Sequence, residues 1–321
     1  PRGAEQVTGN TALQTHVVAH EGTPWAAREG PQNPPTTPEL HHNGAPQPLG
    51  PPDAQFPKSS QLEPQAVTFM APDGLEIHGQ LFTSPQGTGN KNPALIYMHG
   101  GPIRQMLLGY HYSGYYANAY SMNQYMASRG YVVLSVNYRS GIGYGRDFRR
   151  AAKQGPRGAS EYQDIVAAGK YLQSLEIVNP EKIGLWGGSY GGYLTAMGLA
   201  RNSGLFKAGV DLHGVHDWAW RGRDFSPGGG WGLTEELMAG ATAASPIADL
   251  SAWTSPVLLI SGDDDRNVMI GQSIDLKNQL DAMGVYNEHL VFPDEVHGFL
   301  RYDSWLRAFQ ATEGFFNRYL K

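Results

Sequence analysis

Short apolar segments separated by helical segments recur from residue 94 to residue 292, and this alternation limits the fold more than any other feature of the chain. Each apolar segment has the length and composition of a buried strand. Strands that alternate with helices predict a mostly parallel central sheet with helices on both faces, and therefore an α/β protein. The predicted strands are 94–98, 131–136, 182–186, 208–213, 257–261 and 288–292.

Other elements are predicted around these strands. The segment "QAVTFMAPDGLEIHGQLFT" predicts two strands joined at Asp73-Gly74, a typical hairpin turn. A helix is expected to start at Ser160, with Gln163 completing a capping box. Three more helices are predicted: one directly after Ser189, one in "GQSIDLKNQLDAM" and one in "SWLRAFQATEGFFNRYL".

Residues 1–64 differ from the rest of the chain because they are rich in proline, glycine and polar residues. Such a composition predicts a loop, an extended linker or a strip lying on another domain. Only "LQTHVVAH" and "TPWAAR" have the character of strands, and they could belong to a larger β unit. We therefore expect a linker or remnant at 1–64 and a catalytic domain at 65–321.

Composition excludes several classes of function. The formal net charge is -5, so neither a nucleic acid nor an anionic membrane is an expected partner. The chain has no cysteine, which excludes disulfides, zinc–thiolate sites and a cysteine nucleophile. No apolar run approaches the roughly 20 residues needed to span a bilayer. These properties leave the compartment open.

Ser189 lies in "GGSYGG", between a predicted strand and a predicted helix. This is the context of the nucleophile elbow of α/β-hydrolases, where a strained turn presents a serine at the carboxyl edge of the sheet. Small neighbours allow the backbone to turn that sharply. A glycine-rich turn that merely contains a serine is the alternative.

A serine nucleophile needs a base and an acid, which in this fold follow it in the order acid, then histidine. His297 lies in the loop after the last strand, whereas His213 and His216 come too early and His289 lies within a strand. The acid loop after 257–261 is "GDDD", and spacing alone leaves its three aspartates open. A cation site at these acids is the alternative, although no calcium-loop spacing follows.

The loop "HGGP" follows strand 94–98 and predicts one half of an oxyanion hole. The donors would be the backbone amides of Gly101, or alternatively Gly100, and of Tyr190, the residue after the serine. An ordinary tight turn would have the same sequence.

Together these motifs resemble the prolyl oligopeptidase family of serine peptidases, over roughly Gln65 to Lys321. The matching pieces are "HGGP", "NYRSGIGYGRDF", "GGSYGG", "GDDDRNV" and "VHGF", and they look most like the acylaminoacyl-peptidase and dipeptidyl-peptidase-5 branch. The resemblance implies an α/β-hydrolase fold. It also selects Asp265 as the acid, through the spacing Gly262-x-x-Asp265-x-x-Val268.

The resemblance has further implications for substrate and architecture. It aligns Val215, Trp218 and Val268 with the walls of a substrate pocket and Asn267 with a group that binds a substrate carbonyl. Core packing is the alternative role for Trp218. Family members carry an upstream β-propeller, for which this chain has no room, so the chain would be the catalytic half of a longer protein. A homo-oligomer is left open, because the surface that a propeller covers would be exposed.

The sequence thus predicts a serine peptidase that hydrolyses short peptides with Ser189, Asp265 and His297, without metal or cofactor. An esterase or lipase on the same fold is the first alternative, since a triad does not distinguish esters from amides. A binding module that has lost activity is the second alternative, and the complete set of catalytic residues argues against it.

Overall fold

The computed structural model describes residues 13–20, 23–29, 37–42, 45–48, 56–84, 91–220 and 234–321. They form two sheets. The small sheet is an antiparallel meander of β1 (Leu13–His20), β2 (Thr23–Glu29), β3 (Thr37–His42) and β4 (Ala45–Pro48).

The small sheet only partly matches the expectation for residues 1–64. Strands β1 and β2 coincide with the two segments that looked like strands, but β3 and β4 lie in the proline-rich part that predicted a loop. Proline is tolerated near strand starts and on edge strands, and β4 is an edge strand of this sheet. Proline content therefore misled the prediction here.

The large sheet contains the eight remaining strands in the order β12-β11-β10-β9-β7-β8-β6-β5. Its neighbours pair in parallel from β12 to β8, whereas the β5–β6 hairpin joins antiparallel at one edge. The mostly parallel α/β sheet predicted from the sequence is confirmed. The strands are β5 (Gln65–Met70), β6 (Glu76–Phe82), β7 (Asn92–Met98), β8 (Val132–Asn137), β9 (Val178–Gly188), β10 (Ala208–Leu212), β11 (Val257–Gly262) and β12 (Asn287–Phe292).

Helices cover both faces of this sheet. They are α1 (Gly114–Ser128), α2 (Arg146–Arg149), α3 (Tyr162–Ser174), α4 (Tyr190–Asn202), α5 (Glu235–Ala243), α6 (Gly271–Ala282) and α7 (Tyr302–Leu320). Alternate strand residues enter opposite cores: Ile96 and Leu185 pack with α3 and α4, whereas Leu95 and Trp186 pack with α1 and α7. Among the helices in the described ranges, none combines the length and apolarity needed to cross a membrane.

The predicted capping box at Ser160 is wrong. Helix α3 begins at Tyr162, and its N-cap is Glu161, whose backbone is already helical. The Glu161 side chain turns inward, where its Oε1 accepts a hydrogen bond from Ser140 Oγ at 2.5 Å and its Oε2 accepts one from the Gly155 amide at 3.1 Å. The carboxylate thus binds groups outside the helix, and no side chain in the described part of the chain caps the start of α3.

The end of the proline-rich region is anchored to the large sheet's helical layer. The backbone amide of Leu62 donates to Gln124 Oε1 at 2.8 Å, and Gln124 Nε2 donates back to the Leu62 carbonyl at 2.7 Å. Phe56 and Leu62 also pack against the core beneath α1. Phe56 and Leu62 therefore contact the helical layer that covers one face of the large sheet.

The register of the parallel strands brings the functional loops together. Gly188 at the end of β9 pairs with Leu212 of β10, which pairs in turn with Ile260 of β11. Gly187 pairs with Met98, the last residue of β7. Because the carboxyl ends of parallel strands meet at one edge, the loops after β7, β9, β10 and β11 surround one place.

Candidate active site

Ser189 sits on a strained turn between β9 and α4. Its φ of 60° and ψ of -118° lie in a region that non-glycine residues rarely adopt. Glycines flank it because β7 passes close by: a Cβ at Gly187 would lie 2.5 Å from the Met98 carbonyl oxygen, and a Cβ at Gly191 would overlap that same oxygen. The glycine frame therefore has a steric cause, and the turn directs Ser189 to the edge where the loops converge.

Asp265 and His297 face one another across two loops at this edge. Asp265 Oδ2 lies 2.6 Å from His297 Nδ1, and the carboxylate is buried. Asp265 Oδ1 accepts hydrogen bonds from the backbone amides of Asn267 at 2.8 Å and Val268 at 2.9 Å. A carboxylate accepts only, so the proton of a neutral His297 lies on Nδ1 and leaves Nε2 unprotonated.

The two neighbouring aspartates point elsewhere. Asp263 is exposed, and its Oδ1 accepts a hydrogen bond from the Asp294 amide at 2.7 Å. Asp264 is exposed and pairs with Arg266 at 2.9 Å. The three acids therefore do not converge on a common cation, and Asp265 is the member that contacts His297.

The loop after β7 places Gly100 against the candidate nucleophile. A Cβ at Gly100 would lie 3.2 Å from Ser189 Cβ and 3.3 Å from the Tyr116 hydroxyl. Gly101 has a φ of 127°, which favours glycine, and a Cβ there would meet Ile103 and Arg104 of its own loop. The backbone of this loop thus approaches Ser189 at Gly100, and the choice between the two amides as donor stays a prediction.

The buried side chain of His99 holds this loop in place through two contacts. Its Nδ1–H donates to the Gly100 carbonyl at 2.8 Å, and its ring stacks on Tyr138 with centroids 4.3 Å apart. Burial lowers the pKa of His99 from 6.5 to about 4, so this histidine is neutral at physiological pH.

Three residues aligned with a substrate pocket, Val215, Trp218 and Val268, belong to or pack against the core cluster that contains Tyr190. The rings of Tyr190 and Trp218 lie 5.9 Å apart, and Val215 and Val268 are buried in the same core cluster. Trp218 packs against this core and is only partly buried, and its role in a substrate pocket stays a prediction. Asn267 is exposed at the rim of the acid loop.

Tyr190 stays protonated. Burial, and then the charge of Glu161, raise its pKa well above the ordinary value of 10. Its buried side chain is therefore uncharged, and Tyr190 is the first residue of α4.

Chain order set His213 and His216 aside as the base, but His213 contacts His297 and His216 lies in the same loop. The His213 ring is buried with its centroid 4.3 Å from that of His297. His216 Nε2 lies 2.7 Å from Asp211 Oδ2, and its Nδ1 lies 3.0 Å from the Gln272 carbonyl. The second contact connects the loop after β10 to α6. Their position directly after β10, at the same sheet edge, was the signal that could have identified them.

Within the described ranges, His213, Asp265 and His297 place one potential metal-ligand atom each within 4.8 Å of one another. Both carboxylate oxygens of Asp265 already accept hydrogen bonds, and His213 Nε2 is hydrogen-bonded to Tyr115. In the same cluster, His213 Nδ1 is buried without a hydrogen-bond partner among the residues that the structure describes.

Comparison with known proteins gives a consistent result. Residues 118–321 match the prolyl oligopeptidase family. A dipeptidyl aminopeptidase BIII from Pseudoxanthomonas mexicana is 31% identical over 235 residues, which cover 70% of this chain and 32% of the relative. The chain spans about a third of the length of the curated relatives it matches first.

Solved structures share the fold. The acylaminoacyl peptidase of Pyrococcus horikoshii superposes with a TM-score of 0.83 at 25% identity, covering 99% of this chain and 51% of that one. A puromycin-hydrolysing peptidase of Mycobacterium tuberculosis superposes with a TM-score of 0.85 at 23% identity, covering 98% of this chain and 49% of that one. The α/β-hydrolase fold predicted from the sequence is thus confirmed.

Proposed function

The chain belongs to the prolyl oligopeptidase family of serine peptidases, and we propose that it hydrolyses short peptides through a triad of Ser189, His297 and Asp265. The observation that carries this proposal is the 2.6 Å contact between Asp265 Oδ2 and His297 Nδ1, on loops that converge with the strained Ser189 turn. It supports a base held in the tautomer that can accept a proton at Nε2.

In the proposed reaction, Ser189 Oγ attacks the peptide carbonyl and His297 Nε2 accepts the hydroxyl proton. His297 then donates that proton to the leaving amine, so that the C–N bond breaks and an acyl-enzyme remains. Water repeats the sequence, with His297 again as base, and releases the carboxylate product and free Ser189. Asp265 stabilises the charged imidazole in both halves.

The developing oxyanion would be bound by the Tyr190 amide and by an amide of the loop after β7. The contact of Gly100 with Ser189 supports this role, because it brings that backbone within reach of the reacting carbonyl. The start of α4 adds the positive end of a helix dipole at the same place.

We further propose that a pocket beside Ser189 receives an apolar side chain of the substrate. Tyr190, Trp218, Val215 and Val268 would form its walls, and the aromatic contacts of Trp218 with Tyr190 and Tyr193 support a preformed shape. Asn267, exposed at the rim, would bind a substrate carbonyl.

The division into two domains is also a proposal. We assign residues 65–321 to the catalytic domain and residues 1–64 to a linker or the end of a preceding β-propeller. The separate four-stranded meander formed by β1 to β4 supports the latter, since propeller blades are four-stranded antiparallel sheets. A propeller partner outside this chain would restrict access to Ser189 by size.

The test compares three chromogenic substrates on the purified chain: a dipeptide nitroanilide with a free amino terminus, an N-acetylated amino-acid nitroanilide and a nitrophenyl ester. Hydrolysis of either amide, reduced at least about 10³-fold in Ser189→Ala, is expected for a serine peptidase. Hydrolysis of the ester alone would make the protein an esterase and overturn the peptidase assignment for this chain.

A further inference from the structure

His213 lies directly behind the proposed base. Its ring centroid is 4.3 Å from that of His297, with the two planes tilted by 46°, and its other side meets Phe299 at 5.5 Å. The side chain is buried at the carboxyl end of β10. The backbone holds it there in an unusual conformation, since its φ of 41° is positive. Such outliers persist where the surroundings fix them and are frequent at functional sites.

Tyr115 of α1 fixes the other edge of this ring. Its hydroxyl lies 2.8 Å from His213 Nε2, and it reaches across 98 residues of sequence to do so. Burial raises the pKa of Tyr115 well above 10, so the hydroxyl keeps its proton. The hydrogen bond therefore sets the rotation of the His213 ring.

The two side chains together fill the space between the two catalytic loops. A Cβ at Gly188, next to Ser189, would overlap the Tyr115 hydroxyl and lie 3.1 Å from His213 Nε2. On the opposite side, a Cβ at Gly298, next to His297, would lie 3.8 Å from Tyr115 Cδ2. Glycine at position 188 is thus a steric requirement of this pair.

We propose that His213 and Tyr115 are a positioning pair that fixes His297 relative to Ser189 and keeps water from the buried face of its imidazole. The inference rests on the proposed function, because it assigns His297 the role of base. Neither side chain is proposed to exchange a proton with the substrate. They act through His297.

The charge state of His213 suits this role. Burial, and then the charge of His297, lower the pKa of His213 well below 6.5, so its ring is neutral at physiological pH. A neutral ring can pack on His297 when that base becomes charged, whereas a second cation would repel it. In the part of the chain that the structure describes, the other titratable groups that interact with the pair are Asp265, Asp211, Tyr116 and Tyr97.

Three variants separate the parts of the inference. His213→Ala removes the ring, His213→Phe keeps a ring that excludes water, and Tyr115→Phe removes only the hydroxyl. His78→Ala is the matched control, because His78 is a partly buried histidine of β6 whose ring stacks on Tyr144 with centroids 3.9 Å apart. Kinetics are measured with the amide that the wild type cleaves.

His213→Ala is expected to lower kcat by about 10- to 100-fold with little change in KM, as for a misplacement of about 1 Å. Its acid limb should move to higher pH, because water then reaches His297 and favours the charged form. His213→Phe should leave the acid limb in place and keep more activity. Tyr115→Phe should lower kcat by a few-fold.

An activity-independent readout separates this inference from the proposed triad. In the Ser189→Ala background, NMR follows the ring resonances of His297 with pH, and a shift of their midpoint to higher pH in His213→Ala is expected. An unchanged midpoint together with an unchanged kcat in His213→Ala would overturn the inference, as would an equal loss of kcat in His78→Ala. Failure of Ser189→Ala to abolish activity would instead refute the triad. If His213→Ala does not fold, Tyr115→Phe is measured instead, and an unchanged kcat together with an unchanged midpoint of the His297 resonances would overturn the inference.

Discussion

Acid should destabilise this protein through histidines that folding buries in their neutral form, and His99 allows the effect to be isolated. The unfolded chain binds a proton at this histidine below about pH 6.5, whereas burial lowers the pKa in the folded state to about 4. The folded state is therefore fully favoured above pH 6.5 and loses stability as pH falls toward 4. Each pH unit in that window removes about 1.4 kcal/mol from the free energy of unfolding, and the loss reaches roughly 2 kcal/mol by pH 5.

His111 and His213 act in the same direction, since burial also lowers the pKa of each. A comparison with His99→Phe removes their contribution. Phenylalanine keeps the aromatic contact with Tyr138 and loses the hydrogen bond to the Gly100 carbonyl, so the variant should be less stable at pH 8.

The assay is urea unfolding followed by circular dichroism at pH 8, 7, 6 and 5. Between pH 6 and 5, the free energy of unfolding of His99→Phe should fall less steeply than that of the wild type, by about 1.4 kcal/mol per pH unit. Between pH 8 and 7 the two slopes should agree. Equal slopes at acid pH would show that His99 is protonated in the folded state and would refute the reasoning.

Three further predictions concern the site. Asp265→Asn should lower kcat by about 10³- to 10⁴-fold, because Asp265 is the aspartate of this loop that contacts His297. Asp263→Asn and Asp264→Asn should keep a kcat near that of the wild type. A larger loss of kcat in either of these two variants would show that the wrong acid was chosen. Gly188→Ala should lower kcat at least about 10-fold, because the new Cβ displaces Tyr115 and shifts the turn at Ser189. Gly204→Ala is the control, since a Cβ at that position meets nothing within 4 Å. Equal kinetics in the two variants would contradict the steric argument. Hydrolysis should decline as pH drops below neutral, because the base must be uncharged to accept a proton, and a rate that is flat from pH 5 to 8 with chemistry rate-limiting would contradict this.

The repeating pattern of the chain was sufficient to predict the large sheet. Each of the six apolar segments is a strand of the structure, and β5 and β6 pair around the expected hairpin. The continuous apolar character of each segment predicts a strand of the large sheet, because a strand that is buried on both faces must be apolar throughout.

Elements without a clear period were missed. Helix α1 buries polar Asn123 and Gln124 along with its apolar residues, so no apolar stripe marks it. The cap of α3 failed for a related reason: Glu161 is held by Ser140, 21 residues away, and no local pattern contains that contact.

The same limit applies to the site. Sequence motifs predicted Ser189 and His297, because each follows a strand whose end is visible in the sequence, whereas only the family resemblance selected Asp265 from its two neighbours. Tyr115 and His213 became apparent only when folding brought α1 against the end of β10. Chain order predicted His297 rather than His213 as the base, but it carried no information that the two rings lie 4.3 Å apart.

The most direct test of the central claim is covalent labelling with a fluorophosphonate, followed by mass spectrometry of the digested protein. The account predicts that one label attaches, on the peptide containing Ser189, and that Asp265→Asn slows the labelling because His297 no longer has its oriented tautomer. The Ser189→Ala protein should take up no label. Attachment to a different residue, or amide hydrolysis that survives in Ser189→Ala, would contradict the account.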